Sequence, residues 1–285
     1  MNYFSPLRYP GGKGKVAEFF QQVVIKNDLL DGFYVEPYVG GGSVALTLLY
    51  RELVKKIIIN DKDRSIYAFW YSVLNQTEEL CRLIEETPIT MDVWKEQKAI
   101  QNRTIKGNVD LLTLGFSTFF LNRTNRSGII NAGVIGGNDQ TGNYKIDARY
   151  NKTQLIERIK KIAEYTERIE LYNEDAVELT KTLINKLPSK SIFYFDPPYY
   201  IKGQGLYMNY YTDKDHEEIA KTIACINSQK WIITYDNVDF IVNLYEQYRK
   251  QEFELLYSAN NSSKSKGKEI MFFSDNISFI PPKIL

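Results

Sequence analysis

The chain has 285 residues, 44% of them apolar and 25% charged, with a net charge of +1. That is enough for one large domain or a domain with a sizeable insertion, and it excludes a disordered polymer, a collagen-like repeat and a small disulfide scaffold. No stretch approaches the roughly 18 uninterrupted apolar residues of a membrane span, and Met1-Asn2-Tyr3-Phe4-Ser5-Pro6 shows no signal peptide, so a cytoplasmic protein without a membrane partner is expected. Cys81 and Cys225 stand alone and read as buried thiols of a reducing compartment. With His216 the sole histidine and no paired cysteines, no metal site is expected.

In chain order, residues 33–36 read as a short apolar strand, after which Gly40-Gly41-Gly42-Ser43 opens a helix running towards Arg51. Residues 56–60 form a second strand ending at Asp61. The stretch 76–122 is helical in period, with Leu111, Leu112, Leu114, Phe116, Phe119 and Phe120 as apolar positions. Residues 123–144 are rich in Gly, Asn and Ile/Val, which predicts a β-hairpin, and helix resumes near Lys152. Further strands fall at 168–172, 191–195 and 230–235, and two more at 252–257 and 269–274. Strands alternating with helices imply right-handed crossovers and a mostly parallel sheet, closed by an antiparallel pair. Charge is unevenly spread. Residues 95–161 hold 12 Lys/Arg against five Asp/Glu, a local +7 that leaves −6 for the rest of the chain. Such lopsidedness points to an anionic partner, although solvated helix faces would give the same count.

Two motifs carry chemistry. Glu36-Pro37-Tyr38-Val39-Gly40-Gly41-Gly42-Ser43 sits between a strand and a helix, where glycines let the backbone approach a ligand. The Gly-x-Gly-x-x-Gly spacing is not met, and Pro10-Gly11-Gly12-Lys13-Gly14-Lys15 lacks the Ser/Thr of a phosphate loop, so a nucleotide-type cofactor without a pyrophosphate fits better. Asp61, ending the second strand, is placed to accept from ribose hydroxyls. A tight turn with a helix cap would use the same glycines. The second motif, Asp196-Pro197-Pro198-Tyr199, follows a wholly apolar strand. Its prolines remove two donors, so the turn presents acceptors, the Asp196 carboxylate and the Pro197 carbonyl, beside an aromatic ring. That cup suits a planar group bearing an NH2: accepting both hydrogens aims the nitrogen lone pair outward, at an electrophile.

These motifs together resemble the Dam-type (D12 class) N6-adenine DNA methyltransferases of the α group, and the resemblance covers nearly the whole chain. It implies a Rossmann-like S-adenosylmethionine-dependent sheet with an inserted, mainly helical target-recognition domain carrying a β-hairpin. The catalytic domain is expected at 1–72 and 165–285, the DNA-binding insertion at 73–164. Arg8-Tyr9-Pro10-Gly11-Gly12-Lys13 is similar to the N-terminal motif, which implies cofactor-binding roles for Tyr9, Gly11, Gly12 and Lys13. The glycine loop implies the same for Glu36, Pro37, Gly40, Gly42 and Ser43. Asn60-Asp61 and Asn173-Glu174-Asp175-Ala176 imply roles for Asp61 at the sugar and Asp175 at the adenine of the cofactor. Asp196, Pro197, Pro198 and Tyr199 match the catalytic tetrapeptide, with Asp196 also at the cofactor. Residues 267–273 resemble the last strand.

The segment entering the expected hairpin implies DNA contacts at Asn122, Arg123, Asn125, Arg126, Gly128 and Asn131. Asn125, Arg126 and Asn131 replace the tyrosine, asparagine and arginine of the GATC-reading members, so the resemblance does not extend to that site. The expected activity is transfer of a methyl group from S-adenosylmethionine, without metal, to N6 of an adenine flipped out of double-stranded DNA. A companion restriction endonuclease is left open. Two rival readings stand beside it: the same chemistry on cytosine N4 or an RNA adenine, and a non-catalytic DNA-binding subunit. His216 is expected on the first turn of an exposed helix without a catalytic role, and Trp70, Trp94 and Trp231 in the core. Tyr235-Asp236-Asn237, residues 207–211 and Lys264, Lys266 and Lys268 stay open between packing and ligand contact.

Overall fold

The structure, a computed structural model, describes residues 4–8, 14–104, 109–201, 211–257 and 265–282. The expected sites Tyr9, Gly11, Gly12, Lys13 and Lys264, and residues 207–210, lie outside these. The chain divides into two compact units, one of residues 11–63 and 168–285, the other of 2–10 and 64–167.

In the first unit the described residues form a seven-stranded sheet in the order β3-β2-β1-β4-β5-β7-β6. Strands β1 (Gly32–Glu36), β2 (Val54–Asn60), β3 (Ile169–Tyr172), β4 (Ser191–Phe195) and β5 (Lys230–Asp236) run parallel, while β7 (Ser265–Phe273) runs antiparallel between β5 and β6 (Arg249–Tyr257). The expected sheet with its antiparallel close is therefore observed. β4 is buried at every position, as a near-continuous apolar run between two covered faces should be. On one face α1 (Gly14–Lys26) presents Phe20, whose ring lies 4.5 Å from Tyr194 and 6.0 Å from Tyr34. On the other face Phe193 and Phe195, stacked at 5.8 Å, join Ile219 and Ile223 of α9 (Asp213–Ala224) and Leu179 and Leu183 of α8 (Ala176–Leu183). Each such buried side chain contributes roughly 1.5–3 kcal/mol relative to exposure. The helices α2 (Ser43–Tyr50) and α10 (Asp239–Leu244) complete this unit.

The second unit is built from α3 (Arg64–Asn75), α4 (Thr77–Glu86), α5 (Met91–Thr104), α6 (Leu111–Thr124) and α7 (Lys152–Ala163). Helix α6 is buried from Leu114 to Thr124 and is the unit's core element. α3 lays Phe69 flat on Phe119 at 6.0 Å, and Gly115 permits that approach, since a Cβ there would lie 2.5 Å from the Ala68 carbonyl oxygen. This packing, and the seating of residues 4–8 described below, start the unit at residue 64 and add the N-terminal segment, where the sequence drew 73–164.

The expected hairpin at 123–144 contracts to one antiparallel bridge, Asn125 to Val134. Ser127 and Gly128 are both left-handed (φ 57° and 77°), and consecutive residues of that kind turn the chain out of an extended ladder. Other expectations also shift. His216 is fully buried, Trp94 is half-buried where Trp70 and Trp231 are core, and Cys81 is buried but Cys225 exposed. Among the described residues no helix is long and apolar enough to cross a membrane.

Candidate active site

The sheet changes winding direction between β1 and β4, which are parallel neighbours with Val35 opposite Phe193. The loop 37–42 and the turn starting at Asp196 therefore leave the same end of the sheet one strand spacing apart, about 4.8 Å. Such a reversal opens a crevice at the carboxyl ends of the strands.

In the first loop Gly40 and Gly42 take left-handed conformations, φ 44° and 60°, which cost a residue with Cβ about 1–2 kcal/mol. Gly42 is also the N-cap of α2 and supplies no side-chain cap, so the amide end of this helix is covered by bare backbone. Ser43 is its first residue. Glu36 ends β1 buried at 4% exposure. The Pro37 carbonyl accepts from Asn60 Nδ2 at 2.8 Å, and the same amide group donates to the Glu174 carbonyl at 3.1 Å while its Oδ1 accepts from Glu174 N at 2.9 Å. One fully buried side chain at the end of β2 thus joins the loops that follow β1 and β3.

Asp61 accepts from Gly40 N at 3.0 Å with one oxygen and from Asp63 N at 3.0 Å with the other. Burial, with Asp63 adding repulsion, pushes its carboxyl up to about 7 against the pull of those two amides. Asp175 caps α8 by accepting from Val177 N at 2.9 Å and pairs with Lys62 Nζ at 2.8 Å. Burial alone would raise it, but Lys62 and the Val177 amide outweigh burial and hold it below the ordinary carboxylate range.

At β4, Asp196 Oδ1 accepts from Thr234 Oγ1 at 2.8 Å. Pro197 is buried and Pro198 half-buried. Tyr199 is buried, its hydroxyl donating to Glu269 Oε2 at 2.8 Å. Tyr200 N and Ile201 N donate to the two carboxylate oxygens of Asp236, each at 2.9 Å. Behind the turn, Tyr200 stacks on Phe240 at 4.8 Å and His216 Nδ1 meets the Tyr235 hydroxyl at 3.0 Å. Tyr211, of the Tyr-rich stretch, bonds the Tyr38 hydroxyl at 2.7 Å. Thr234, Asp236, Glu269 and Asn60 are the partners that sequence reading did not single out for these roles.

In the second unit the polar residues expected at DNA part into two groups. Asn122 accepts from Arg8 N at 2.7 Å and donates to the carbonyls of Arg8 at 2.7 Å and Gly128 at 2.8 Å. Gly128 approaches the same segment so closely that a Cβ would lie 2.5 Å from the Arg8 oxygen. Arg123 donates through Nε and Nη2 to the Pro6 carbonyl, and burial, with Arg158 and Arg8 adding repulsion, pulls its guanidinium down to about 9. Asn125 accepts from Trp94 Nε1 at 2.7 Å and donates to the carbonyls of Ile129 and Ile130. All three side chains, for which the resemblance implied DNA contacts, are buried at 8% exposure or less and bonded to internal partners. Arg126 and Asn131 are exposed, as are Arg149 and Tyr144, the guanidinium 5.6 Å from the ring centroid. Among the described residues no three His, Cys, Asp or Glu side chains converge as a metal ion requires.

A doubly wound, mostly parallel sheet with an inserted antiparallel strand, glycines after β1 and an acceptor turn after β4 define a Rossmann-like methyltransferase domain. The chain belongs to the D12 class N6 adenine-specific DNA methyltransferase family, matched over residues 9–260, and is a DNA methyltransferase. Among characterised proteins it is similar to the Type II methyltransferase M.MjaIII of Methanocaldococcus jannaschii, 26% identical over 266 residues, 85% of this chain and 88% of that protein. More distant likenesses are the solved structures of the rRNA methyltransferase aviRa from Streptomyces viridochromogenes (11% identity, TM-score 0.39, 95% of this chain and 88% of that one) and TrmN from Thermus thermophilus (8%, 0.37, 88% and 47%). This chain spans just under half of TrmN.

Proposed function

We propose that the protein transfers a methyl group from S-adenosylmethionine to N6 of an adenine flipped out of double-stranded DNA. The observation that carries this reading is the adjacency of β1 and β4, which puts the glycine loop and the acceptor turn at one end of the sheet. Flipping costs a few kcal/mol and is what brings a stacked base within reach of such a crevice.

The residues around the first loop fit this cofactor. The uncapped α2 end favours its carboxylate, Gly40 and Gly42 let the backbone come close, and Asp61, whose oxygens each spend one lone pair on an amide, keeps acceptor capacity for sugar hydroxyls. Glu36, Pro37 and Ser43 border the same loop, Asp175 stands at the neighbouring strand end, and Tyr9, Gly11, Gly12 and Lys13 are assigned to the cofactor by family likeness. When bound, the cofactor supplies a methyl group made electrophilic by its sulfonium. Asp196 and the Pro197 carbonyl accept the two amine hydrogens, which localises the nitrogen lone pair and turns it away from the cup, while Tyr199, fixed through Glu269, offers its ring to the base. Pro198 keeps the turn short of donors. Rate enhancement comes chiefly from positioning.

Duplex contact falls to the exposed Arg126 and Asn131, joined by Arg149, while Asn122, Arg123, Asn125 and Gly128 shape the segment that carries them. Acting on cellular DNA, the enzyme would work in the cytoplasm, and the Type II name of the Methanocaldococcus relative makes a companion endonuclease at the same site a natural partner.

The test is methylation of plasmid DNA with labelled S-adenosylmethionine, followed by digestion to nucleosides. N6-methyladenine is expected, with Asp196→Ala slowing turnover by at least about a hundredfold and leaving cofactor affinity intact. A variant working at near wild-type rate, or N4-methylcytosine as the product, would overturn the reading.

A further inference from the structure

Two polar side chains stand in the buried interior of β5, Thr234 at 0% and Asp236 at 4% exposure. Burying a polar group in a strand costs free energy unless it is paired, and an aliphatic residue would pack there without that cost. Both are paired, and their partners lie in one place, the turn that begins at Asp196.

Thr234 has a single hydroxyl hydrogen and lies 2.8 Å from Asp196 Oδ1 and 3.0 Å from the Tyr194 hydroxyl. A carboxylate only accepts, so Thr234 donates to Asp196, and Tyr194 must then donate to Thr234. The buried Tyr194 thereby fixes the rotamer of Thr234, and Thr234 fixes the plane of the Asp196 carboxylate. Two residues along the strand, hence on the same face, Asp236 receives the consecutive amides of Tyr200 and Ile201. Between these grips Pro197 and Pro198 have no N–H, so neither supplies a backbone donor to tie down the turn. β5 grips the turn at Asp196 and at Tyr200 and Ile201, while Glu269 of β7 ties Tyr199 between them.

We infer that Thr234 and Asp236 are positioning residues for methyl transfer, Thr234 setting the direction of the Asp196 carboxylate and Asp236 the path of the chain past Tyr199. This rests on the proposed role of Asp196 as acceptor for the target amine. Neither residue touches substrate; both act through the turn.

The test is single-turnover methyl transfer by the full-length enzyme with Thr234→Val, which keeps the shape and removes the hydroxyl. The rate constant at saturating DNA is expected to fall about ten- to a hundredfold with unchanged affinity for S-adenosylmethionine. Thr234→Ser, which retains the donor, restores most of it. Thr234→Val also removes the hydroxyl that the Tyr194 hydroxyl meets at 3.0 Å, so the melting temperature is measured beside the rate. Adding Tyr194→Phe removes that hydroxyl as well, and the rate stays low. Asp236→Asn, which turns an NH2 towards one of the two amides, lowers the same rate constant. A Thr234→Val enzyme at wild-type rate beside an inactive Asp196→Ala enzyme would overturn the positioning role and leave the acceptor role standing. A double variant that recovers rate together with stability would overturn it too, whereas an active Asp196→Ala enzyme would remove the reading beneath it.

Discussion

With Asp61 at the cofactor's sugar as proposed, its carboxyl would link cofactor affinity to pH. Free, it titrates at about 7, because burial and Asp63 outweigh the amides of Gly40 and Asp63. Hydroxyls of a bound sugar donate to the ionised form, and such charge-assisted bonds are roughly twice as strong as neutral ones. If binding selects the carboxylate, the dissociation constant scales with one plus the ratio of protonated to ionised protein. At pH 6 that ratio is about ten and at pH 8 about a tenth, so affinity for S-adenosylmethionine strengthens roughly tenfold between them and levels off above. At pH 7 binding releases about half a proton, which calorimetry reads as a dependence of the observed enthalpy on buffer ionisation. Asp61→Asn binds more weakly and flattens both the profile and the buffer dependence. Folding stability runs the other way. A raised carboxyl makes the folded state bind more protons than the unfolded one between the ordinary carboxylate range and about 7, so stability falls with rising pH across that window. A pH-independent affinity in the wild-type protein, or a profile that survives Asp61→Asn, would refute the assignment.

Asn122→Ala removes three hydrogen bonds to backbone groups of Arg8 and Gly128 and is expected to cost about 1–3 kcal/mol in urea unfolding, while leaving the salt dependence of DNA binding unchanged. Arg126→Ala and Arg149→Ala should do the reverse, each lowering the slope of log affinity against log salt by about one at constant stability. Burial holds the His216 imidazole below its ordinary 6.5, against the pull of Asp236, Asp215 and Asp213, so the unfolded chain takes up its proton first as pH falls. Stability is therefore lost as pH drops below about 6.5, and in a comparison of acid unfolding curves His216→Phe should lose less over that interval than the wild type.

The sheet could be read from the chain because its strands are buried on both faces and write themselves as unbroken apolar runs, Ile192 to Phe195 above all, and because Asp196 interrupts such a run without transition. Thr234 was not visible as a partner, and Asp236 was left open between packing and ligand contact, because a polar residue in a strand declares its role only through its partner, and theirs lies 35 to 38 residues away. The one clue was that Thr234 lies inside the apolar run 231–235 and Asp236 directly ends it. The burial of Asn122, Arg123 and Asn125 was hidden for a related reason: polar residues ending a helix suggest solvent, but α6 is buried from Leu114 to Thr124, so its polar end is enclosed too. For His216 the signal was present. It shares a face with Ile219 and Ile223 at i, i+3 and i+7, the stripe that packs on the sheet, and Thr212 with Asp215 marks where that helix begins.

Asn60 gives the rim of the sheet a collective character. Because a single carboxamide at the end of β2 is shared by the segments after β1 and β3, neither can shift or be remodelled alone without stranding a buried donor or acceptor at Asn60. Grafting a different glycine segment into this scaffold to alter ligand preference would have to preserve a carbonyl at position 37 in its present orientation. Directed changes at that rim should thus succeed as coordinated sets spanning both segments together with Asn60, and fail when introduced one segment at a time.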